Sequence, residues 1–435
     1  MKRKIYEKLV ELKNNTSKKP IMLLGARQVG KTYIIREFCK ANYKNFLEIN
    51  LFKDVQFVNL YRQNISSEEK FQKLKVLLNT DLDEKDTILF IDEIQESEEL
   101  ISELKFFCEE HNNVNIICAG SLLGIKLKRN KKSFPVGKVW RINMYPMDFE
   151  EYLWAFSEYA LIDEIKKCFN DNKPMIEPLH HKILEYYRKY LISGGLPESV
   201  QNMVDIKGDI IKYNKDILNS IIDSYFDDMN KYVDSHTESI RIQNIYNSIP
   251  NQLGNNSHKF QYTKIDYNAR TREYESPLDW LLANNLVIKS TAVSKPAIPL
   301  KLYTCNDIFK IYLNDVGLLN NLLEVKYADI IMDNLGELKG IITENYVANQ
   351  LLSNENTLYY WLSMGTAEID FVVYNNDGII PIEVKSGDNT QSKSLKVYIN
   401  KYKPKYAIRV STKNFGFDTK NKIKSIPLYA VFLIK

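Results

Sequence analysis

The sequence predicts an α/β protein: an N-terminal parallel sheet, a helical and winged-helix-like middle, and a C-terminal α/β unit built round its own sheet. Three observations lead there. Apolar runs alternate with helix-like stretches over residues 1–156, helical patterns fill 157–235, and short strands resume after about 336. At 435 residues the chain exceeds what one core ordinarily holds, and divisions at 1–156, 157–235, 236–330 and 331–435 follow these changes of pattern.

In the first part, PIMLL (20–24) meets a glycine and reads as a buried strand, with the helix pattern TYIIREFCKAN after it. FLEINL (46–51), TILFIDEIQ (87–95) and NVNIICAGS (113–121) repeat the theme, with helical stretches such as ELISELKFFCEEHN between them. Strand and helix alternating in this way indicate βαβ units and a parallel sheet. KVWRINMYPMDFEEYLWAF (138–156) adds a last strand, then Pro146 and a helix. SGGLPESV (193–200) reads as a helix stop and turn in a stretch rich in Tyr and Lys. SPLDWLLANNLVIKS (276–290) and KPAIPLKLYTC (295–305) give helix, strand, turn, strand, the order of a winged helix. The final part runs from the helix LKGIITENYVANQLLSN (338–354) through TLYYWLS, EIDFVVYNNDG and IIPIEVKS to the helix KSLKVYINKY, then AIRVS and PLYAVFLI.

Composition narrows the class. An apolar fraction of 44% and a charged fraction of 26% are those of a globular chain. No stretch resembles a membrane span, and the opening MKRKIYEKLVELKNN is a basic amphipathic helix without the apolar run of a signal peptide. Five scattered cysteines without CxxC spacing argue against a disulfide framework or a zinc site and fit a reducing cytoplasm. None of the five histidines has metal-ligand spacing. Net charge is only +4, although Lys126–Lys132 is a basic run, so nucleic acid is neither demanded nor excluded. The mixture of 28 tyrosines with lysines fits base stacking or inward-packed helices.

Gly25-Ala26-Arg27-Gln28-Val29-Gly30-Lys31-Thr32 fits the pattern GxxxxGK followed by Ser or Thr, with a strand before it and a helix after. Glycines let successive backbone N–H groups turn inward on phosphate oxygens, and the helix start adds its positive dipole end. Lys31 is then the residue that reaches the β- and γ-phosphates of ATP, and Thr32 a ligand of Mg²⁺. Asp92 and Glu93 close an apolar strand 61 residues after Lys31. An aspartate there helps to hold Mg²⁺, and the glutamate polarises the attacking water, which makes hydrolysis the expected reaction. Ser121, at the tip of the next strand, suits either contact with the γ-phosphate or water, or a helix cap for SLLGIKL.

GARQVGKT, IDEIQ, AGSLLG, YPMDFEEY and SGGLPE, with KIYLNDVGLL (310–319) and ITENYVANQLL (342–352), resemble prokaryotic AAA+-type ATPases with a C-terminal domain of unknown function. These are distant relatives of STAND and archaeal ATPases. The resemblance runs over nearly the whole chain and implies a P-loop AAA+ core, a helical and winged-helix middle and a nuclease-like end, with Ser121 at the sensor position. Many such proteins read Gly-Arg-Val where this chain has Gly137-Lys138-Val139. A finger acting on a neighbouring subunit is then left to Lys138 or Arg141, and lysine lacks the planar fork of arginine.

EIDFVV, the turn NNDG and PIEVKSG form a hairpin signal in which Asp370 faces Glu383 and Lys385, with Glu344 on the preceding helix. Three carboxylates and a lysine are a layout for metal-dependent phosphodiester cleavage, with Glu344, Asp370 and Glu383 as Mg²⁺ ligands and Lys385 stabilising charge. The arrangement resembles the PD-(D/E)xK superfamily and so implies a restriction-endonuclease-like domain. An exposed ion-paired hairpin, or a silent fold that only binds, are the alternatives. The reading that results is a cytoplasmic ATPase, homo-oligomeric in some nucleotide state and acting on DNA by remodelling or ATP-licensed cleavage. The alternative is a STAND-like switch that controls a protein partner.

Overall fold

The structure, a computed structural model, describes the chain except residues 84, 122–134, 234, 256–258, 268, 364–366 and 388–391. Two units emerge: residues 2–145 with 283–285, and residue 1 with 146–282 and 286–435.

The first unit contains α1 (Ile5–Lys13), β1 (Ile21–Leu24), α2 (Lys31–Asn42), β2 (Asn45–Asn50), α3 (Val55–Arg62) and α4 (Ser67–Leu78). After these come β3 (Thr87–Asp92), α5 (Glu98–Glu109), β4 (Asn115–Gly120) and β5 (Trp140–Asn143). The strands form one sheet in the order β2-β3-β4-β1-β5, parallel at every pairing. A parallel sheet is covered on both faces, so its strands are continuously apolar rather than alternating; β3 is buried along its whole length. Met22, Ile49, Leu89 and Ile91 from the strands pack with Phe57, Phe71, Leu104 and Phe107 from α3, α4 and α5. A capping box between Ser66 and Glu69 starts α4. Because β4 lies between β1 and β3, its C-terminal tip falls between the end of β1 and the end of β3.

The second unit opens with helices: α6 (Phe149–Ala155), α7 (Tyr159–Asp171), α8 (Glu177–Ser193), α9 (Pro197–Asp205), α10 (Asp216–Lys231), α11 (His236–Leu253) and α12 (Thr271–Ala283). There follow β6 (Val287–Val293), β7 (Thr304–Leu313), α13 (Val316–Leu322), α14 (Tyr327–Ile331), α15 (Leu338–Ser353), β8 (Tyr359–Leu362), β9 (Glu368–Asn375) and β10 (Gly378–Val384). The chain ends with α16 (Lys393–Tyr402), β11 (Ala407–Ser411), β12 (Gly416–Asp418), β13 (Ile423–Pro427) and a 3₁₀ helix, Leu428–Leu433. Residues 149–155, read with the first domain from sequence, fall in this unit: the Phe149 N–H donates to Gln350 Oε1 at 2.9 Å, and the Phe149 ring packs on Tyr190.

One sheet of eight strands runs through this unit in the order β12-β13-β11-β10-β9-β8-β6-β7. The helix–strand–turn–strand order expected before residue 330 is present as α12, β6 and β7. Its hairpin is the edge of that larger sheet, since β6 pairs in parallel with β8 through Thr291 and Tyr359. The tyrosines of EYYRKYLI turn inward: Tyr187 and Tyr190 lie 4.9 and 5.6 Å, ring to ring, from Tyr346 of α15. That accounts for much of the Tyr-Lys pattern by packing. Among the described residues no helix is long and apolar enough to cross a membrane.

Candidate functional site

The loop between β1 and α2 carries residues 25–30. Gly25 is required by close approach, because a Cβ there would lie 2.3 Å from the Met144 carbonyl oxygen. Gln28 and Gly30 have positive φ (62° and 94°), and alternation of backbone hand makes a concavity of N–H groups suited to an anion. Helix α2 begins at Lys31 with no side-chain cap and no acidic residue in its first turn. Its first N–H groups and dipole are therefore left for a ligand. Lys31 Nζ folds over the loop and donates to the carbonyls of Gly25 (2.9 Å) and Ala26 (2.7 Å).

Thr32 Oγ1 donates to Asp92 Oδ2 at 3.1 Å, joining the start of α2 to the end of β3. Asn50, at the tip of β2, reaches the same oxygen at 3.4 Å, and the Glu93 N–H donates to Asp92 Oδ1 at 3.0 Å. Burial pushes the Asp92 carboxyl above its usual range, and the adjacent Glu93 pushes the same way. Glu93 sits in the left-handed region (φ 53°), with its Oε2 accepting from the Gln95 side-chain amide. Ser121 is buried at the tip of β4, and its Oγ has no hydrogen-bond partner among the described residues. The helix-cap alternative for Ser121 rests on residues 122–127, outside the described residues, as does the basic run 126–132. Lys138 pairs with Glu109 of its own chain at 2.8 Å, while Arg141 is exposed on β5.

In the second unit β9 and β10 form the expected hairpin, with Phe371 opposite Ile382 and Asp370 and Glu383 the next residues along. Asp370 Oδ2 accepts the Val384 N–H at 2.7 Å, and Lys385 Nζ lies 2.7 Å from Glu383 Oε1, which also accepts from Ser392 Oγ at 2.9 Å. Burial drives the Asp370 carboxyl well above its usual range, with Glu383 and Glu344 adding to the effect. Glu344 is engaged otherwise. Its Oε1 is 2.8 Å from Lys310 Nζ and 2.6 Å from Tyr312 OH, and Lys310 also pairs with Glu368 at 2.6 Å. Lys310 is fully buried. Burial alone would depress its pKa, but Glu344, Glu368 and Asp370 more than offset this and raise it. The trio expected as metal ligands therefore makes no ready cage, and among the described residues no three His, Cys, Asp or Glu side chains are so arranged.

Sequence reasoning missed Lys310, Glu368, Tyr312 and Asn50. In KIYLND an alternating strand pattern hides the burial of its lysine, because the partners lie far along the chain. Nothing in the local sequence marks Asn50.

A P-loop, an acidic strand end and a five-stranded parallel sheet define an AAA-type nucleotide-binding fold in the first unit. Residues 17–153 match the family described as AAA domain. Residues 184–329 and 339–431 match two further families, each described as a domain of unknown function (DUF8612 and DUF4143). Among solved structures, the chain is similar to a Walker-type ATPase of Pyrococcus abyssi: 17% identity, 73% of this chain and 94% of that one covered, TM-score 0.44. The ORC2 protein of Aeropyrum pernix, solved in ADPNP–ADP complexes, matches at 14% identity, with coverage of 76% and 92% and a TM-score of 0.36. The ORC1 protein of Aeropyrum pernix, solved in complex with DNA, matches at 13%, with coverage of 75% and 92% and a TM-score of 0.28. No curated protein sequence matches the chain.

Proposed function

We propose that the first unit binds and hydrolyses ATP with Mg²⁺. The observation that carries this reading is the 3.1 Å bond between Thr32 and Asp92, which brings the hydroxyl of the phosphate loop to the acidic strand end. Magnesium takes hard oxygen donors, commonly one or two protein groups with phosphate oxygens completing its shell, so Thr32 and Asp92 fit it. When bound it would offset charge on the β- and γ-phosphates. Lys31 would leave the loop carbonyls for phosphate oxygens, Glu93 would orient and polarise the water, and the buried Ser121 hydroxyl would contact the γ-phosphate or that water. A finger acting on a neighbouring copy would be Lys138, which pairs with Glu109 in this chain, or Arg141.

We further propose that the second unit acts on DNA, through remodelling or cleavage licensed by ATP. Asp370, Glu383 and Lys385 lie together on one hairpin, and phosphodiester cleavage needs that chemistry. A second reading is favoured by the commitment of Glu344 to Lys310 and Tyr312: a nucleotide switch controlling a protein partner, with the C-terminal domain a non-catalytic binding module. Cleavage and binding of single-stranded, duplex, forked and four-way DNA, with ATP and Mg²⁺ or Mn²⁺, separate the two. Cleavage lost in Asp370→Ala supports the nuclease, and binding without cleavage supports remodelling. Neither binding nor cleavage favours the switch.

A further inference from the structure

Arg3 precedes α1 and is almost completely buried, with about 5% of its surface exposed. Its guanidinium donates from Nη1 to the Val29 carbonyl at 2.8 Å and from Nη2 to the Tyr145 carbonyl at 2.6 Å. One acceptor lies inside the phosphate-loop segment, and the other lies just beyond β5. The segment that carries Arg3 is itself anchored. Leu9 is fully buried, the Tyr6 ring packs edge-on against Phe38 of α2 at 5.9 Å, and Asn42 Nδ2 donates to Tyr6 OH at 3.0 Å. Helix α1 thus holds Arg3 against the same helix that the loop feeds.

A trans peptide is planar, and its C=O and N–H point to opposite sides. Holding the Val29 carbonyl toward Arg3 therefore fixes the Gly30 N–H on the far side of that peptide, at the entrance to the uncapped first turn of α2. Gly30 has φ 94° and no side chain, so nothing of its own restrains that plane. Gly25 approaches the Met144 carbonyl on the other flank, so the loop is braced at both ends by the segment that follows β5.

We propose that Arg3 is a positioning residue for nucleotide binding: by bridging the Val29 and Tyr145 carbonyls it holds the Gly30 N–H in the orientation that receives a phosphate oxygen. The inference rests on reading residues 25–32 as a phosphate loop. A planar fork with several donors spans two carbonyls, and an ammonium on a flexible stem does not hold both in one plane. Arg3→Lys keeps charge and stem while losing the fork.

The test measures, for wild type, Arg3→Lys and Arg3→Ala, the affinity for a fluorescent ADP analogue, the KM and kcat for ATP, and the melting temperature without nucleotide. The expected result is a loss of affinity of about tenfold in Arg3→Lys, with KM rising in parallel, kcat changed little and the melting temperature nearly unchanged. A purely structural role would lower the melting temperature and the active fraction, and hence the apparent kcat, while leaving KM alone. That pattern, or unchanged affinity, overturns the proposal. If Arg3→Ala does not fold, Arg3→Lys decides. Wild-type protein that fails to bind nucleotide sinks the phosphate-loop reading and this inference together, whereas wild-type binding with an unaltered Arg3→Lys sinks the inference alone.

Discussion

Thr32 Oγ1 and Asp92 Oδ2 stand 3.1 Å apart, although one residue opens α2 and the other ends β3. Lys31 precedes one member of the pair and Glu93 follows the other, so the proposed ATP hydrolysis would be centred on it. Lys31→Ala removes the charge proposed to meet the phosphates, and equilibrium titration should find nucleotide binding lost. Glu93→Gln keeps shape and hydrogen bonding but not basicity. It should bind ATP while kcat falls by about 10²–10⁴-fold. Normal turnover in that variant would contradict the assignment of Glu93.

Ser121 offers a cleaner separation of folding from chemistry. Its hydroxyl has no partner among the described residues, so Ser121→Ala removes no bond within them. Thermal melting without nucleotide should be unchanged to within about 0.5 kcal/mol. ATP turnover should fall, and an unchanged kcat would return Ser121 to the role of a helix cap.

Asp315 caps α13 by accepting from the N–H groups of Gly317 and Leu318, and it also accepts from Gly195 at 2.7 Å. Burial pushes its carboxyl up to about 6, against the pull of those three donors. A carboxyl raised in the folded state adds stability fully present below its unfolded pKa and lost as pH rises through the folded one. Between about pH 4 and pH 6 the folded protein should lose roughly 3 kcal/mol at this group. Urea unfolding of wild type and Asp315→Asn across that range should show a difference whose slope has this sign; parallel curves would refute it.

Lys310→Met should destabilise the second unit by about 3–5 kcal/mol, because Glu344 and Glu368 lose the buried cation that pairs with both. Adding Glu344→Gln should recover part of the loss. Denaturant midpoints of the single and double variants measure both effects, and a Lys310→Met variant as stable as wild type would contradict the prediction.

Legibility in the sequence followed the range of the interactions. The phosphate loop was readable because its chemistry needs eight adjacent residues in one order, and Asp92-Glu93 because an apolar strand ends on them. The β9–β10 hairpin was readable from NNDG and the alternation on either side. Arg3 was not: in MKRKIYEKLV it is one of several basic residues, and only the folded loop singles it out. Lys310 was hidden for the same reason, since what makes its burial tolerable is two carboxylates on α15 and β9. The boundary near residue 330 was legible as a change of pattern, yet the pairing of β6 with β8 across it leaves no mark in either strand.

That pairing has a consequence for how the protein can be taken apart. A fragment beginning at residue 331 would carry β8 with a bare edge, open to aggregation, and would leave the buried Glu344 and the half-buried Glu368 without Lys310. A fragment ending there would keep the β6–β7 hairpin without its neighbouring strand β8. The change of pattern near residue 330 is thus a seam in the text rather than in the object, and a truncation of this half of the chain that keeps its strands paired has to keep the sheet whole.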